Sequence, residues 1–250
     1  MSERYARQLA LPQVGPAGQQ RLARAGVLVV GLGGLGSAAT LYLAAAGVGR
    51  LGLADPDLVS SSNLNRQVLY AEAHLGKRKV EAAAERLLGL NPGLAVDRYP
   101  ERLERARLAQ VLPGYDLVVD ATDNFASRYQ INAACRETGK PWVHGAVRGW
   151  EGVVTTFLPE GPCFACLYPE PPAEPQRPPV IGVSPGVVGC WQAGEALKLL
   201  LGGERPLSGR LLVIDIWQGQ VKILSYRQRQ DCAGCGRRHG EQDSAPGPAQ

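Results

Sequence analysis

One glycine-rich segment constrains this chain more than any other feature: Gly31-Leu32-Gly33-Gly34-Leu35-Gly36. It stands between an apolar run at 27–30, rich in β-branched residues, and small helix-favouring residues at 37–46. Glycines at this spacing allow a tight strand-to-helix turn and a close approach of the backbone to phosphate, and the helix N-terminus adds N–H groups and a favourable dipole. The segment therefore predicts a nucleotide-binding α/β fold. The spacing alone fits NAD, FAD or ATP.

The rest of the chain alternates between predicted strands and helices, which indicates a Rossmann-like doubly wound, mainly parallel sheet. Strands are predicted at 27–30, 50–55, 95–99, 116–120 and 142–147, and helices at 37–46, 77–90, 101–112 and 125–138. After Gly149 the pattern changes to antiparallel strands at 153–158, 211–216 and 221–226, with one long helix at 187–201. The proline-rich segment 168–185 is predicted to be a surface loop.

These patterns predict a single domain over residues 1–236, with a nucleotide-binding half at about 1–149 and a second half at about 150–236. Residues 237–250 have few apolar side chains and are expected to be a disordered tail. The net charge of +4 is too small for a nucleic-acid-binding signature. No apolar run approaches the roughly 20 residues that span a bilayer, and the start has no signal-peptide core. We therefore expect a cytoplasmic protein with neither membrane nor nucleic acid as a partner.

Polar and charged residues follow the predicted strands at the edge where ligands bind in such sheets. Asp55 ends the second strand, 19 residues beyond Gly36, which suits a carboxylate that accepts hydrogen bonds from ribose hydroxyls. Lys79 opens the next helix, and Asp123 closes the strand at 116–120. Further polar residues are Ser62, Asn63 and Arg66 in the segment 57–67, Asn124, and Arg7 ahead of the fold.

This set of side chains favours nucleotidyl transfer from ATP over hydride transfer. Attack on an α-phosphate needs cations over the phosphates, for which Arg66, Lys79 and Arg7 are candidates. It also needs a carboxylate for Mg²⁺, for which Asp123 is placed. The alternative for Asp123 is a helix N-cap ahead of Phe125, and the two roles are compatible.

Five motifs in one order resemble the MoeB/ThiF family, the bacterial relatives of ubiquitin-activating enzymes. They are Arg4-Tyr5-x-Arg7-Gln8, Gly31-x-Gly33-Gly34-Leu35-Gly36, Ser62-Asn63-Leu64-x-Arg66-Gln67, Lys79-Val80 and Thr122-Asp123-Asn124. Each motif is weak alone, and the resemblance covers about residues 1–236.

The resemblance implies an adenylyltransferase that uses ATP and Mg²⁺ to activate the C-terminal glycine of a ubiquitin-like β-grasp sulfur carrier with a Gly-Gly tail. The second half of the domain, at about 150–236, would bind the carrier. The products would be an acyl-adenylate, for later thiocarboxylate formation, and pyrophosphate. It also implies a homodimer in which Arg7 reaches the neighbour's ATP. Arg66, Asp123 and Lys79 would be catalytic, and the nucleotide would be bound by Gly31, Gly33, Gly34, Gly36, Asp55, Ser62, Asn63, Arg66, Lys79, Asp123 and Asn124. Molybdopterin, thiamine and tRNA-thiolation pathways all use such enzymes, and a molybdopterin-type carrier is favoured.

Four of the six cysteines form two Cys-x-x-Cys pairs, Cys163/Cys166 and Cys232/Cys235. Four thiolates are a full tetrahedral zinc set, but the 65 residues between the pairs are too many for spacing alone to identify a zinc site. Two redox pairs are the alternative. The family resemblance favours a structural zinc that ties the end of the domain to the sheet.

The chain departs from many members of the family in the segment 168–185, which lacks the cysteine that can join the carrier covalently; the corresponding position falls near Pro175. Cys190 lies too far along and is interpreted as a small buried core residue. The enzyme is then expected to stop at the acyl-adenylate. No rhodanese-like sequence is present, so we expect a separate sulfur donor. None of the three histidines has a companion at metal or triad spacing.

Two other functions remain open at this stage. An NAD-dependent oxidoreductase explains the glycine segment and Asp55, but it gives no role to Arg66, Lys79, Asp123 or the four cysteines. A non-catalytic nucleotide-binding partner subunit would keep the fold without the reaction, and the charged residues argue against it.

Overall fold

The computed structural model describes residues 3–172, 179–204 and 206–236. Within them, eight strands form one sheet: β1 Gly26–Val30, β2 Arg50–Ala54, β3 Ala95–Tyr99, β4 Leu117–Asp120, β5 Trp142–Arg148, β6 Glu151–Phe157, β7 Arg210–Asp215 and β8 Gln220–Ser225. Their order is β3-β2-β1-β4-β5-β6-β7-β8, parallel from β3 to β5 and antiparallel from β5 to β8. The predicted fold class is confirmed.

The parallel half is centred on β1, whose five residues are all buried. Strands in such a position are covered on both faces, which is why β1 is a continuous apolar run rather than an alternating one. β1 pairs with β2 on one side and with β4 on the other, so the chain order reverses between β1 and β4. Ligands of doubly wound sheets bind at this reversal, beyond the carboxyl ends of the strands.

Helices cover both faces of the sheet. In chain order they are α1 Ala6–Leu9, α2 Gly15–Arg24, α3 Gly34–Ala46, α4 Lys79–Leu90, α5 Arg105–Val111, α6 Phe125–Thr138, α7 Phe164–Leu167 and α8 Val183–Leu200. The core that includes Val27 and Val29 packs against α3, α4 and α8. The core that includes Leu28 and Val30 packs against α5, α6 and α7. Alternate residues of one strand therefore serve two separate cores.

Close packing of α8 on α3 fixes the start of α3, which is where the glycine segment ends. A Cβ atom at Gly189 would clash with the carbonyl oxygen of Leu35 and lie 2.9 Å from Cβ of Ala38. Gly189 therefore lets the two helices approach more closely than any larger residue would allow.

The bounds of several predicted elements need correction. α8 begins at Val183 rather than at residue 187, because Pro185 sits in its first turn, where the missing N–H costs no helical hydrogen bond. α5 is shorter than the predicted 101–112, and β7 and β8 each begin and end one residue earlier than predicted. The predicted bounds of α6 and β3 are confirmed. Among the described residues, we find no helix of the length and apolar character needed to cross a bilayer.

Candidate active site

The glycine segment forms a turn that brings α3 against the end of β4. Gly31 adopts φ of +91°, a conformation that favours glycine, and a Cβ atom there would lie 2.6 Å from the carbonyl oxygen of Ala121. A Cβ atom at Gly36 would clash with the carbonyl oxygen of Gly31. Because neither position has room for a side chain, the first turn of α3, from Gly34, presents its unpaired N–H groups at the reversal point of the sheet.

Asp55 lies directly after β2, and its carboxylate is fixed by backbone donors. The N–H of Leu32, inside the glycine segment, donates to Oδ2 at 2.7 Å, and the N–H of Asp57 donates to Oδ1 at 2.9 Å. Burial raises the pKa of Asp55 above its ordinary value, while the Lys79 ammonium and the two N–H groups oppose this effect. The carboxylate is thus held beside the glycine segment, as the sequence predicts.

Lys79 is the first residue of α4, and its buried ammonium connects two carboxylates. Nζ lies 2.9 Å from Oδ2 of Asp57 and 3.7 Å from Oδ1 of Asp55. The side chain of Asp57 is 65% exposed, whereas that of Asp55 is only 7% exposed. The sequence predicts Lys79 near the nucleotide site but indicates no role for Asp57. Asp57 in fact provides the closer counter-charge.

The polar segment after β2 folds over the glycine segment. Its 3-10 helix, Ser61–Asn63, ends in a turn in which the carbonyl oxygen of Asn63 accepts from the N–H groups of Arg66 and Gln67. The guanidinium of Arg66 donates to the carbonyl oxygen of Ser62 at 2.8 Å. A Cβ atom at Gly34 would lie 3.2 Å from the carbonyl oxygen of Arg66. Ser62, Asn63 and Arg66 are therefore brought to the start of α3.

Asp123 and Asn124 lie in the turn between β4 and α6. Oδ1 of Asn124 accepts from the N–H of Ser127 at 2.9 Å and caps α6. The alternative that Asp123 is the cap is therefore wrong. The side chain of Asp123 is exposed, and Oδ1 accepts from the Asn124 side-chain amide at 3.2 Å.

Beneath this turn lies a buried polar cluster that local sequence patterns do not predict. Nδ1 of His144, in β5, donates to Oδ2 of Asp120 at 2.7 Å, and both residues are fully buried. Asp120 lies 24 residues from His144 along the chain, so no metal or triad spacing in the sequence indicates this pair. Asp120 and His144 are paired in the register of β4 and β5, and only the strand order reveals this pairing.

Arg7 lies away from the site of its own chain. Its neighbours in the N-terminal segment bind the far ends of two helices: the side chain of Gln8 donates to the carbonyl oxygen of Ala46, and Arg4 donates to that of Leu90. These carbonyls close α3 and α4, whose first residues line the candidate site. Since α3 has 13 residues, its ends lie roughly 20 Å apart.

The four paired cysteines come together at the end of the described chain. The four Sγ atoms of Cys163, Cys166, Cys232 and Cys235 all lie within 4.8 Å of one another. Sγ of Cys163 is 3.6 Å from that of Cys232, and Sγ of Cys166 is 3.3 Å from that of Cys235. Thiolates about 2.3 Å from one tetrahedral zinc would be separated by about 3.8 Å. The donor set and its spacing therefore fit one zinc ion.

Comparison with known proteins settles which family carries this arrangement. The model of the ThiF family matches residues 5–235. The chain belongs to the ThiF family.

Relatives within this family share nearly half of the sequence. The SAMP-activating enzyme E1 of Haloferax volcanii and the sulfur carrier protein adenylyltransferase of Thermus thermophilus are each 47% identical over 94% of the chain, which covers 88% and 90% of their lengths. The adenylyltransferase and sulfurtransferase MOCS3 of Mus musculus is 44% identical, and the chain spans 52% of it. Among solved structures, Escherichia coli MccB superimposes with a TM-score of 0.83 over 94–97% of this chain and 74–75% of that protein, at 22% identity. That likeness shows the fold.

The sequence made two predictions about single cysteine positions of this ThiF-family chain: that Cys190 is buried, and that the family's cysteine position falls near Pro175. Cys190 is exposed on α8 beside Trp191, so its interpretation as a buried core residue is wrong. The helix presents position 190 to the surface and turns Gly189 and Gln192 inward. The position near Pro175, and the tail at 237–250, lie outside the described residues.

Proposed function

We propose that this chain is an ATP-dependent adenylyltransferase that activates the C-terminal glycine of a ubiquitin-like β-grasp sulfur-carrier protein. The carrier carboxylate attacks the α-phosphorus of ATP and a new oxygen–phosphorus bond forms. The bond from that phosphorus to the oxygen bridging to the β-phosphorus breaks, and pyrophosphate leaves with the electron pair. One observation carries the proposal. The glycine segment, the Asp55–Lys79 pair and the turn with Asp123 meet at the reversal point between β1 and β4. The names of the two 47% identical relatives support it.

The nucleoside and phosphates have distinct partners in this proposal. Asp55 accepts hydrogen bonds from the ribose hydroxyls, since both of its oxygens are oriented by backbone N–H groups that leave further lone pairs available. The N–H groups at the start of α3 face the phosphates, where the helix dipole favours negative charge. Asn63, Ser62 and Gly34 complete the wall of the site.

Cations lower the barrier by offsetting charge that develops as pyrophosphate leaves. Lys79 is suited to this role because it is buried and held in place by Asp57. Arg66 adds a second cation from the neighbouring turn. We assign Arg7 to the nucleotide of a partner chain in a homodimer, which its distance from the site of its own chain supports.

The carboxylate of Asp123 would hold Mg²⁺ together with phosphate oxygens of ATP. Hard cations of this kind prefer oxygen ligands, and the cap of α6 is supplied by Asn124, which leaves Asp123 available. Bound Mg²⁺ supplies charge neutralisation at the phosphates. Asp123 holds the ion, and the Asn124 amide orients the carboxylate.

A protein substrate is supported by an exposed apolar surface on the second half of the sheet. Trp150 and Trp217 contact each other with ring centroids 5.1 Å apart and ring planes tilted by 56°, and they are 38% and 68% exposed, respectively. Val221 and Ile223 on the edge strand β8 are also exposed. Exposed apolar side chains on one part of a sheet favour a protein-binding surface. We place the body of the carrier here, and assign delivery of sulfur to a separate donor in a molybdopterin, thiamine or tRNA-thiolation pathway.

The four cysteines would hold one structural zinc that ties residues 232–235 to α7. We expect about one zinc per chain in protein purified without chelator, and a lower melting temperature for Cys232→Ser because an uncoordinated site frees this segment. Cys190→Ser, which removes an exposed thiol outside the cluster, is the matched control and should keep both zinc and melting temperature. Less than half a zinc per chain would contradict the assignment.

ATP–pyrophosphate exchange with Mg²⁺ tests the main proposal. Candidate β-grasp carriers are added one at a time, each beside a version that lacks its final Gly-Gly. Exchange that requires the intact tail establishes acyl-adenylate formation, and the best carrier identifies the pathway. Absence of exchange with every carrier, despite ATP binding, would overturn the catalytic proposal.

A further inference from the structure

We infer that Asp120, His144 and Arg128 form a buried positioning network for the turn that carries Asp123. The inference rests on the adenylation proposed above and deepens it, because these residues do not reach the nucleotide themselves. Each acts through the turn Thr122–Asp123–Asn124, whose exposed carboxylate would hold Mg²⁺.

Asp120 is the centre of the network. Its carboxylate is fully buried, and Oδ1 accepts from both the N–H and the hydroxyl of Thr122, at 3.0 and 2.6 Å. Oδ2 accepts from Nδ1 of His144 at 2.7 Å and lies 4.0 Å from Nε of Arg128. Thr122 thus donates two hydrogen bonds to Asp120, and the other carboxylate oxygen of Asp120 faces His144 of β5 and Arg128 of α6.

His144 supports the carboxylate as a neutral donor. With Nδ1–H directed at Asp120, Nε2 is the lone-pair nitrogen, and this buried atom has no hydrogen-bond partner among the described residues. A protonated ring would leave a charged N–H group unpaired there, which costs much more than an idle lone pair. The ring is held edge-on to Phe164, with centroids 5.2 Å apart, so it has one orientation.

Arg128 closes the network from α6. Its Nη2 donates to the carbonyl oxygen of Thr122 at 3.0 Å, and its guanidinium lies over the ring of Phe125 at 5.0 Å. On the opposite face of the sheet, the amide of Gln192 donates to the backbone oxygen of Asp120 at 2.5 Å. Hydrogen bonds from both faces of the sheet therefore fix Asp120.

The network fixes the backbone position of Asp123, because hydrogen bonds hold the residues on both sides of it, Thr122 and Asn124. The N–H, hydroxyl and carbonyl oxygen of Thr122 are all bonded to the network, and Asn124 is fixed by its cap on Ser127. An apolar cluster would fill the same space without burying charge. The hydrogen bonds of the Asp120 network fix the conformation of the backbone that carries the exposed carboxylate of Asp123.

Thr122→Val and His144→Leu test the inference, with His144→Asn as the conservative variant, since its amide can still donate to Asp120. Thr156→Val is the matched control: Thr156 also donates a buried hydroxyl to a carboxylate, Oε2 of Glu195 at 2.9 Å, but it is bonded to α8 and not to the turn.

We expect kcat for exchange to fall about 10- to 100-fold in His144→Leu and about tenfold in Thr122→Val. The Mg²⁺ concentration for half-maximal rate should rise, whereas the KM for the carrier should stay within about twofold, since the turn does not meet the carrier body. Thr156→Val should lower the melting temperature alone.

ATP affinity with Mg²⁺ and with EDTA gives a readout independent of turnover. The positioning network predicts that Thr122→Val and His144→Leu lose affinity only when Mg²⁺ is present, and that His144→Asn restores most of it. Equal losses with and without Mg²⁺, or wild-type Mg²⁺ dependence in folded Thr122→Val, would overturn the inference. Wild-type protein that binds Mg–ATP but shows no exchange would overturn the adenylation proposal, and the affinity comparison would still decide the role of the network.

Discussion

Lys79 shows how a single side chain can serve both the fold and the proposed reaction. Its ammonium is buried between a carboxylate that is buried and one that is exposed. The buried partner, Asp55, depends on this cation because the backbone N–H groups offset only part of its desolvation. Removing the cation therefore affects ribose binding as well as phosphate binding.

We expect Lys79→Met to reduce ATP–pyrophosphate exchange about 100-fold, because a buried cation at the leaving group is lost. It should also reduce the free energy of unfolding by about 1–3 kcal/mol, because Asp55 is left without its counter-charge. Lys77→Met removes a neighbouring exposed lysine paired with Glu85 and should change the free energy of unfolding by less than about 1 kcal/mol. Equal effects of the two substitutions on exchange would contradict the role of Lys79.

His144 makes a prediction about pH. Burial lowers its pKa in the folded protein, with Asp120 opposing this effect and Arg128 adding to it; Cys135, also near Asp120, stays neutral because burial raises its pKa. Below about pH 6.5, the unfolded chain takes up a proton that the folded chain does not, so stability should fall as the pH falls from 7 toward 5.

Denaturant unfolding of wild type and His144→Asn at several pH values measures this effect. The variant lacks the titrating ring, so its stability should fall less over the same range. Parallel curves for the two proteins would show that His144 does not titrate as its surroundings indicate.

At this scale, the sequence predicts the residues of the candidate site better than the buried residues that support them. Asp55, Lys79 and Asp123 each follow or open an element near the glycine segment, so their meeting point follows from chain order and the parallel sheet. The Asp120–His144 pair depends on the register of β4 against β5, which local patterns do not encode. The exposure of Cys190 depends on which face α8 presents to α3, and an apolar helix with small residues all round gives no clear answer.

At the scale of elements, the packing of α8 on α3 controls the glycine segment. Gly189 stands where the two helices touch, and α3 begins in that segment. The start of α8 was misplaced from the sequence because proline was taken as a break. Pro185 instead occupies the first turn, beside Gly34, where Cβ of Pro185 would lie 2.7 Å from a Cβ atom at Gly34.

We expect Gly189→Ala to cost about 1–3 kcal/mol of stability and to weaken ATP binding, because the added methyl group pushes α3 away from α8. Gly194→Ala is the matched control: a Cβ atom at Gly194 meets no atom within 4 Å, so the same change should stabilise the helix by up to about 1 kcal/mol. Thermal unfolding and nucleotide titration of both variants measure these effects. Weakened ATP binding in Gly194→Ala as well would argue against a specific helix contact.

At the scale of the whole molecule, the position of Arg7 bears on the proposed homodimer. The N-terminal segment is anchored on the carbonyl ends of α3 and α4, whereas the candidate site lies at their N-termini. An Arg7 that acts on a nucleotide must therefore act on that of another chain, in keeping with the proposed homodimer.

Mixing two inactive variants tests this arrangement. Arg7→Ala and Asp123→Asn, unfolded and refolded together, should regain about a quarter of the wild-type sites, since half of the dimers are mixed and each mixed dimer has one intact site. Refolding each variant alone is the control. A monomer in sedimentation equilibrium, or no regained exchange in the mixture, would contradict action between chains.

The cysteine cluster also has a consequence for how the chain is made. Phe164 stands between Cys163 and Cys166 and contacts the rings of Phe125, Trp142 and His144, so it joins the cluster to the network under the active site. The ribosome synthesises residues 1–149 first, and 65 residues separate Cys166 from the second cysteine pair, Cys232 and Cys235. If the four cysteines bind the proposed zinc, the network under the candidate site becomes fully ordered only after residues 232–235 have been synthesised and the metal has bound.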